Sequence, residues 1–276
     1  SPARPAMTTK PSVPELLAPA GSPEALQAAV QSGAGAVYLG CGSFNARRSA
    51  KNFSPEEFAE AVRYCHVRGV KVYLTLNTLV TDRELPAALE TARLACRAGT
   101  DAILVQDWGL FAALRAALPD QPLHASAQLA AQAGCTRVVV ARELSGAEVA
   151  AICQACPVEV ETFVHGALCM GYSGQCAMSA VLGGRSGNRG TCAQPCRLPY
   201  QVEWEGSGAA PTGHPLSLKD NCLAPRLQEM ARAGVACLKI EGRMKRPEYV
   251  AVVTGIYARL LREGRGPTAE EMADLT

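Results

Sequence analysis

Four cysteines in a glycine-rich stretch are the residues of this sequence best suited to chemistry. They are Cys169, Cys176, Cys192 and Cys196, in the spacing C-x6-C-x15-C-x3-C. Thiolates in a loop that glycine allows to wrap closely are typical of a soft-metal site. Four of them can hold tetrahedral zinc or one iron–sulfur cluster. Structural zinc usually takes paired C-x2–4-C knuckles, so the looser spacing favours a cluster, with buried structural thiols as the simpler alternative.

The same stretch offers a second chemistry, that of a nucleophile site. Cys169 and His165 are close in sequence and could form a nucleophile–base pair. GYSGQ does not match the G-x-S-x-G turn of serine hydrolases, and the zinc motif H-E-x-x-H is absent from the sequence. Metal ligation ranks above the nucleophile pair because three further cysteines share the neighbourhood.

Two basic segments, NARRSAKN (45–52) and KIEGRMKRP (239–247), each follow or end a predicted strand. Charges of this kind usually form a solvated face, but two such loops beside one pocket suit an anionic ligand. The candidate residues for binding a carboxylate or a phosphate are Arg47, Arg48, Lys239, Arg243 and Lys245.

Two further residues at predicted strand ends, His165 and Glu241, have side chains that can exchange protons. We take them as the catalytic candidates for proton transfer. Ordinary polar capping of a strand end is the alternative for each residue.

The elements that must position these residues alternate between strand and helix. Each predicted strand is apolar on both faces, as a parallel sheet requires. Eight such strands predict a (β/α)8 barrel over residues 14–264, with polar strand ends at one mouth. A doubly wound sheet is the alternative, but G-x-G-x-x-G is absent after the first strand. The predicted strands span residues 15–19, 36–40, 71–77, 102–107, 122–126, 137–141, 158–164 and 236–242.

Two segments break this alternation. Residues 165–233 form a cysteine-bearing insertion between the seventh and eighth strands, with a β-like piece at LPYQVEW. Residues 127–136 are too few for an ordinary parallel crossover, which takes roughly a dozen residues or more. At the ends, residues 1–13 are predicted to be a disordered lead, and 265–276 a linker to a further C-terminal region.

Composition narrows the class of protein. The chain has 276 residues, of which 48% are hydrophobic, which suits one large α/β domain. A net charge of +2 is weak for a dedicated nucleic-acid binder. The sequence lacks a membrane-length apolar run and a signal peptide, which predicts a cytoplasmic protein without a membrane partner. Twelve cysteines in a reducing compartment indicate metal ligands or buried thiols more than disulfides.

Residues 161–179, ETFVHGALCMGYSGQCAMS, resemble the signature of peptidase family U-32, the collagenase-like peptidases. That signature is E-x-F-x-x-G-(S/A)-(L/M)-C-x4-G-x-C-x-(L/I/V/M)-S, and each fixed position matches. LLAPAGSPEAL, FNARRSAKNFS, GGRSGNRGTCAQPCR and LKIEGRMKRPEYV also look like this family, so the resemblance covers nearly the whole chain. It is strongest to the RNA-hydroxylating branch, whose members carry a further C-terminal region.

The resemblance implies an iron–sulfur enzyme that hydroxylates RNA without molecular oxygen. The substrate would be a cytidine of ribosomal RNA or a uridine of tRNA, with prephenate, a small carboxylate, as a source of the hydroxyl. The four cysteines of the insertion would hold a 4Fe-4S cluster, and zinc could occupy these thiolates in protein prepared in air. Two alternatives stay open. One is a collagenase-like peptidase, which could depend on a metal ion, and the other is a zinc-containing RNA-binding module.

Overall fold

Eight parallel strands close into a barrel in the computed structural model, which describes residues 13–42, 44, 52–125, 134–172, 175–203 and 212–276. Neighbouring strands follow the order β6-β5-β4-β3-β2-β1-β9-β7, and the pairing of β6 with β7 closes the ring. The predicted (β/α)8 barrel is therefore confirmed. The strands are β1 Glu15–Pro19, β2 Ala36–Leu39, β3 Lys71–Leu76, β4 Ala102–Val105, β5 Leu123–Ala125, β6 Arg137–Val139, β7 Glu159–Gly166, β8 Asn221–Cys222 and β9 Cys237–Ile240.

Helices cover the outside of the barrel, and several begin where the sequence places a capping residue. Ser22, Ser54 and Ser145 each accept a backbone hydrogen bond at a helix start, as the Ser-Pro-Glu and Ser-x-x-Glu patterns indicate. The α-helices are α1 Pro23–Gln31, α2 Pro55–His66, α3 Leu85–Ala98, α4 Trp108–Ala117, α5 Gly146–Ala155, α6 Met178–Gly183, α7 Leu227–Ala233, α8 Pro247–Glu263 and α9 Ala269–Leu275.

The barrel has two separate apolar cores, because successive residues of a strand point to opposite faces. The larger core lies between the strands and the helices. The smaller core fills the barrel interior and draws all its members from alternate strand positions. Its residues are Leu17, Ala36, Tyr38, Tyr73, Ala102, Leu104 and Cys237.

Several segments differ from the sequence prediction or extend it. The two-residue β8 pairs antiparallel with the end of β7 at His165 and Gly166. In the described part of the LPYQVEW piece, residues 198–203, Tyr200 forms an isolated antiparallel bridge with Gly213. α9 lies within residues 265–276, predicted as a linker, and packs against α8. Residues 1–12 and most of the short 127–136 crossover lie outside the described residues, yet β5 and β6 pair directly.

No helix in the described part of the chain is both long and apolar enough to span a membrane.

Candidate functional site

A network of charged side chains fills the barrel interior below its mouth. Glu161 is fully buried and accepts hydrogen bonds from the Lys239 ammonium at 2.8 Å and from the Arg137 guanidinium at 3.5 Å. Arg137 also pairs with Glu15 at 2.9 Å and with Glu159 at 2.7 Å. Burial opposes ionisation of Glu15, but the Arg137 charge and hydrogen bonds from neighbours hold its pKa below the ordinary value. Lys71 also pairs with Glu15, at 2.9 Å, so three cations and three carboxylates balance one another.

Lys239, predicted as an anion ligand, belongs to this interior network. Its ammonium pairs with Glu161 and lies 4.6 Å from the centre of the Tyr38 ring and 5.2 Å from that of Phe163. The side chain is buried. The charge of Lys239 is therefore already paired with that of Glu161 inside the barrel.

Arg243 lies at the mouth itself, as its position after β9 predicts. One of its nitrogens donates to the Thr75 hydroxyl at 2.8 Å, and the guanidinium lies 5.6 Å from the Tyr38 ring centre. Gly21, in the loop after β1, makes close backbone contact here, since a Cβ at that position would lie 1.7 Å from the Arg243 carbonyl oxygen. The close contact between the Gly21 and Arg243 backbones therefore fixes the position of Arg243 at the mouth.

Arg142, which follows β6, is a second mouth arginine; its place at a strand end predicts a mouth residue, but it was not among the candidate site residues. Its guanidinium pairs with the Glu241 carboxylate at 3.2 Å and lies 4.0 Å from the centre of the Phe163 ring. It also donates to the Ala167 carbonyl oxygen, at the start of the insertion. Arg142 and Glu241 therefore join the mouth to the segment that carries the cysteines.

His165 points away from the barrel interior. The register between β7 and β9 shifts after Phe163, and His165 then pairs with Ile240, whose side chain belongs to the outer core. Its Nδ1 lies 3.3 Å from the Tyr257 hydroxyl oxygen of α8. Burial lowers the pKa of His165 to about 4, so the imidazole is neutral at neutral pH. The link to Glu241 runs through the backbone, from the Glu241 N–H to the His165 carbonyl oxygen at 2.9 Å.

Lys245 lies farther out, on the exposed loop between β9 and α8. Its ammonium is 3.9 Å from the Asp220 carboxylate and 5.0 Å from the Tyr249 ring centre. The remaining anion-binding candidates, Arg47 and Arg48, lie outside the described residues. The structure thus places Arg243 and Glu241 at the mouth, Lys239 below it, and Lys245 on its outer rim.

The four cysteines of the insertion share one neighbourhood. Cys169, Cys176 and Cys192 are exposed, and Cys196 is partly buried. Burial raises the pKa of Cys196, and negative charge on the other three thiols raises it further against the opposing effect of Arg197. Each of the other three thiols therefore lies close enough to Cys196 to affect its ionisation. All twelve cysteines of the chain belong to the described residues, as free thiols.

Small residues shape the turns that carry these thiols. A Cβ on Gly171 would lie 3.1 Å from the Cys176 Cβ, so a larger residue would crowd that cysteine. Gln194, between Cys192 and Cys196, adopts a left-handed conformation with φ of 56°. Its N–H donates to the Cys192 sulfur at 3.3 Å. The turn at Gln194 thus directs a backbone N–H group toward the Cys192 thiol.

As placed, no three His, Cys, Asp or Glu donors among the described residues lie close enough to bind one metal ion. The composition of the donor set nevertheless fits a soft metal or an iron–sulfur cluster. Four thiols gather on glycine-containing turns, and one backbone N–H already donates to a sulfur.

Comparison with known proteins places the chain in a family. The model of peptidase family U32 matches residues 21–275. The chain belongs to this family. The 23S rRNA 5-hydroxycytidine C2501 synthase of Escherichia coli K12 is 40% identical, over 95% of this chain and 42% of the relative. The tRNA hydroxylation protein P1 of Bacillus subtilis 168 is 35% identical, over 90% of this chain and 63% of the relative.

A third U32 relative carries a different name. The collagenase of Porphyromonas gingivalis W83 is 36% identical, over 94% of this chain and 68% of the relative. Among solved structures, a candidate phosphonomutase of Burkholderia cenocepacia aligns with a TM-score of 0.50 at 16% identity, over 90% of this chain and 94% of that one. That likeness concerns the barrel fold alone. This U32 chain spans 42% of the first of these relatives and 63% of the second.

Proposed function

We propose that this chain is the barrel part of an enzyme that hydroxylates RNA. The observation that supports the proposal most is the gathering of four thiols on the insertion beside a barrel mouth that carries two arginines. The relatives named for rRNA and tRNA hydroxylation, at 40% and 35% identity, supply the reaction class. A cytidine of rRNA or a uridine of tRNA would be the target, and the enzyme would work in the cytoplasm.

We propose a 4Fe-4S cluster as the cofactor, held by Cys169, Cys176, Cys192 and Cys196. Bound there, it would supply an iron centre that transfers electrons or polarises an oxygen of the substrate. The protein would hold the cluster at the mouth through the insertion, because Arg142 joins the start of that insertion to Glu241.

The mouth side chains would bind the anionic reactants. Arg243 lies beside the Tyr38 ring and Arg142 beside the Phe163 ring, so each presents a guanidinium next to an aromatic face. Such a pairing suits a small carboxylate, of which prephenate is the proposed hydroxyl donor. Lys245, and with it Arg47 and Arg48, would contact phosphates of the RNA.

Proton transfer would involve Glu241 before His165. Glu241 has its carboxylate at the mouth, paired with Arg142, so it can meet a reactant directly. His165 is buried against Tyr257 and is neutral at neutral pH because burial lowers its pKa. We therefore assign His165 an indirect part, through the backbone hydrogen bond that it accepts from Glu241.

A peptidase is the second candidate, favoured by the relative named collagenase at 36% identity. Its nucleophile would be Cys169. The contacts of His165 with Tyr257 and Tyr249 argue against it as the base, since they hold the imidazole on the outer side of β7. A zinc-containing RNA-binding module has the support of the thiol set alone.

The deciding experiment is metal and sulfide analysis of protein purified without air. We expect about four irons and four acid-labile sulfides per chain, lost when the four cysteines of the insertion are replaced by Ala. Cys96→Ala, a half-buried cysteine on α3, is the matched control and should keep the iron. RNA from cells lacking the gene, incubated with the full-length protein and prephenate, should then gain one oxygen by mass spectrometry. Iron-free protein that cleaves gelatin through Cys169 would contradict the proposal.

A further inference from the structure

The cysteine-bearing insertion crosses the barrel mouth from one side to the other. It leaves the barrel at the end of β7, and its turn at Gly187–Arg189 contacts the loop that follows β3. In the closed ring, four steps separate β3 from β7 in either direction, through β4, β5 and β6 or through β2, β1 and β9. The two strands therefore lie opposite each other. We call residues 185–197 the strap, because this segment runs over the mouth between them.

The far end of the strap is held by reciprocal contacts with the β3–α3 loop. The Leu79 N–H donates to the Asn188 carbonyl oxygen at 3.1 Å. In return, the Arg189 guanidinium donates to the Leu79 carbonyl oxygen at 2.7 Å. The same guanidinium pairs with the Glu84 carboxylate at 2.6 Å. Two segments that are distant in sequence are thus joined by backbone and ionic contacts together.

Glu84 is positioned for this pairing by its own loop. Its second carboxylate oxygen accepts from the Thr81 N–H at 2.9 Å and from the Thr81 hydroxyl at 2.8 Å. The hydrogen bond from Arg189, together with those from Thr81, lowers the pKa of Glu84 to about 2, so it is charged at neutral pH. The loop is anchored in turn, because the Val80 N–H donates to Asp107, the N-cap residue of α4, at 3.2 Å. The β3–α3 loop therefore has hydrogen bonds of its own that hold Glu84 in place.

The near end of the strap has a separate anchor. Arg197 donates to the Leu168 carbonyl oxygen at 2.7 Å and to the Ser217 hydroxyl at 2.8 Å, beside the exit of β7. Between the two anchors lie Cys192 and Cys196. The far turn also touches the thiol region, since a Cβ on Gly187 would lie 3.7 Å from the Cys192 Cβ. Displacement of the turn would therefore displace the cysteines.

We propose that Arg189 and Glu84 are positioning residues that form a latch, which holds the cysteines of the strap over the barrel mouth. Neither residue needs to touch the substrate. Their effect is to set where the thiols of Cys192 and Cys196 lie relative to Arg243 and Glu241. The role in catalysis rests on the proposed function, whereas the effect on thiol placement does not.

The structural test uses Glu84→Ala, Arg189→Ala and the double variant. Glu90→Ala is the matched control, because it breaks a comparable exposed ion pair with Arg97 at 2.9 Å on α3. In the metal-free protein we expect the Leu79 amide to exchange hydrogen about tenfold faster in each latch variant, with the double variant equal to the singles. The control should match the wild type. Unchanged exchange at Leu79 in Glu84→Ala would overturn the latch.

The positioning role is tested with cobalt as a probe of thiol placement. We expect the metal-free latch variants to bind Co²⁺ through thiolates about tenfold more weakly than the wild type, with Arg189→Lys partly restoring the affinity. Equal cobalt affinity in the variants and the wild type, or a wild type without thiolate–cobalt absorption, would overturn the positioning role.

The catalytic consequence is read separately in the full-length enzyme. The latch variants should lose about tenfold in kcat with little change in KM, because the reacting groups are misplaced while the RNA contacts stay intact. Loss of cobalt affinity in a protein that never hydroxylates RNA would leave the latch in place and reject the proposed function. An unchanged kcat in an active enzyme would reject the catalytic part of the latch proposal.

Discussion

The barrel interior and the cysteine strap are both rich in reactive groups, but they differ in how far the protein itself satisfies those groups. Inside the barrel, Glu161 pairs with both Arg137 and Lys239, and all three side chains are buried. On the insertion, three of the four thiols are exposed, and the fourth, Cys196, is partly buried. These interior charges are paired within the protein, whereas most of the thiols on the insertion face solvent.

This difference teaches which polar residues belong to stability and which to function. A buried charge is tolerated when its partners are present, and removing one partner leaves the others uncompensated. Exposed thiols on turns contribute little to the stability of the fold, and their role depends on what they bind. Mutations should therefore damage stability in the barrel interior and metal binding on the strap.

The largest effect on stability should come from Arg137→Ala. This change leaves Glu15 and Glu161 inside the barrel without their guanidinium, which should lower the free energy of unfolding by about 3–5 kcal/mol. Urea denaturation of the metal-free protein measures it. Arg226→Ala removes an exposed ion pair with Glu229, which solvent screens, and should leave the free energy of unfolding nearly unchanged. Equal losses in the two variants would show that the buried network contributes no more to stability than an exposed ion pair does.

The next effect is a pH dependence of the free energy of unfolding, which tests whether His165 is part of the buried core. Because burial lowers its folded pKa to about 4 from the ordinary 6.5, the unfolded chain binds a proton first as the pH falls. The contribution of neutral His165 to the stability of the folded protein is fully present above pH 6.5. It is lost as the pH falls toward 4, which lowers the free energy of unfolding by up to about 3 kcal/mol. His165→Gln should remove this part of the slope in denaturation between pH 7 and 4. Identical slopes for the variant and the wild type would show that His165 is not the buried neutral group described above.

A smaller effect is expected where the two regions meet. Gly21→Ala would place a Cβ 1.7 Å from the Arg243 carbonyl oxygen, so the loop after β9 must move. We expect a loss of about 1–3 kcal/mol, typical of overpacking, together with weaker binding of a carboxylate ligand. Calorimetry with prephenate tests the second point, and Gly255→Ala, whose added Cβ would meet ordinary contact at 3.9 Å, is the control. Wild-type prephenate affinity in Gly21→Ala would detach Arg243 from the ligand site.

The smallest effect on stability should come from the cysteines of the strap. Cys192→Ser in the metal-free protein should change the free energy of unfolding by no more than about 0.5 kcal/mol, because the side chain is exposed. Cys65→Ser, at a fully buried position, should cost about 1–3 kcal/mol for burying a hydroxyl group. The reverse order in urea denaturation would mean that the strap thiols are structural.

The sequence by itself was enough for the barrel and for the position of Arg243 and Glu241 at its mouth. Strand and helix periods, capping serines and the family signature are local patterns, and strand order follows from their alternation. Local patterns also indicate which residues end a strand, and in a parallel barrel those ends gather at one mouth.

The tertiary structure alone decided what surrounds those residues. A register shift after Phe163 turned His165 toward α8, and a strand pattern does not reveal such a shift. Lys239 proved to be neutralised by Glu161, and Arg189 of the strap met Glu84 across the mouth, 105 residues away in sequence. Pairings of this kind depend on closure of the whole barrel, which brings distant charges together without leaving a local signal in the sequence.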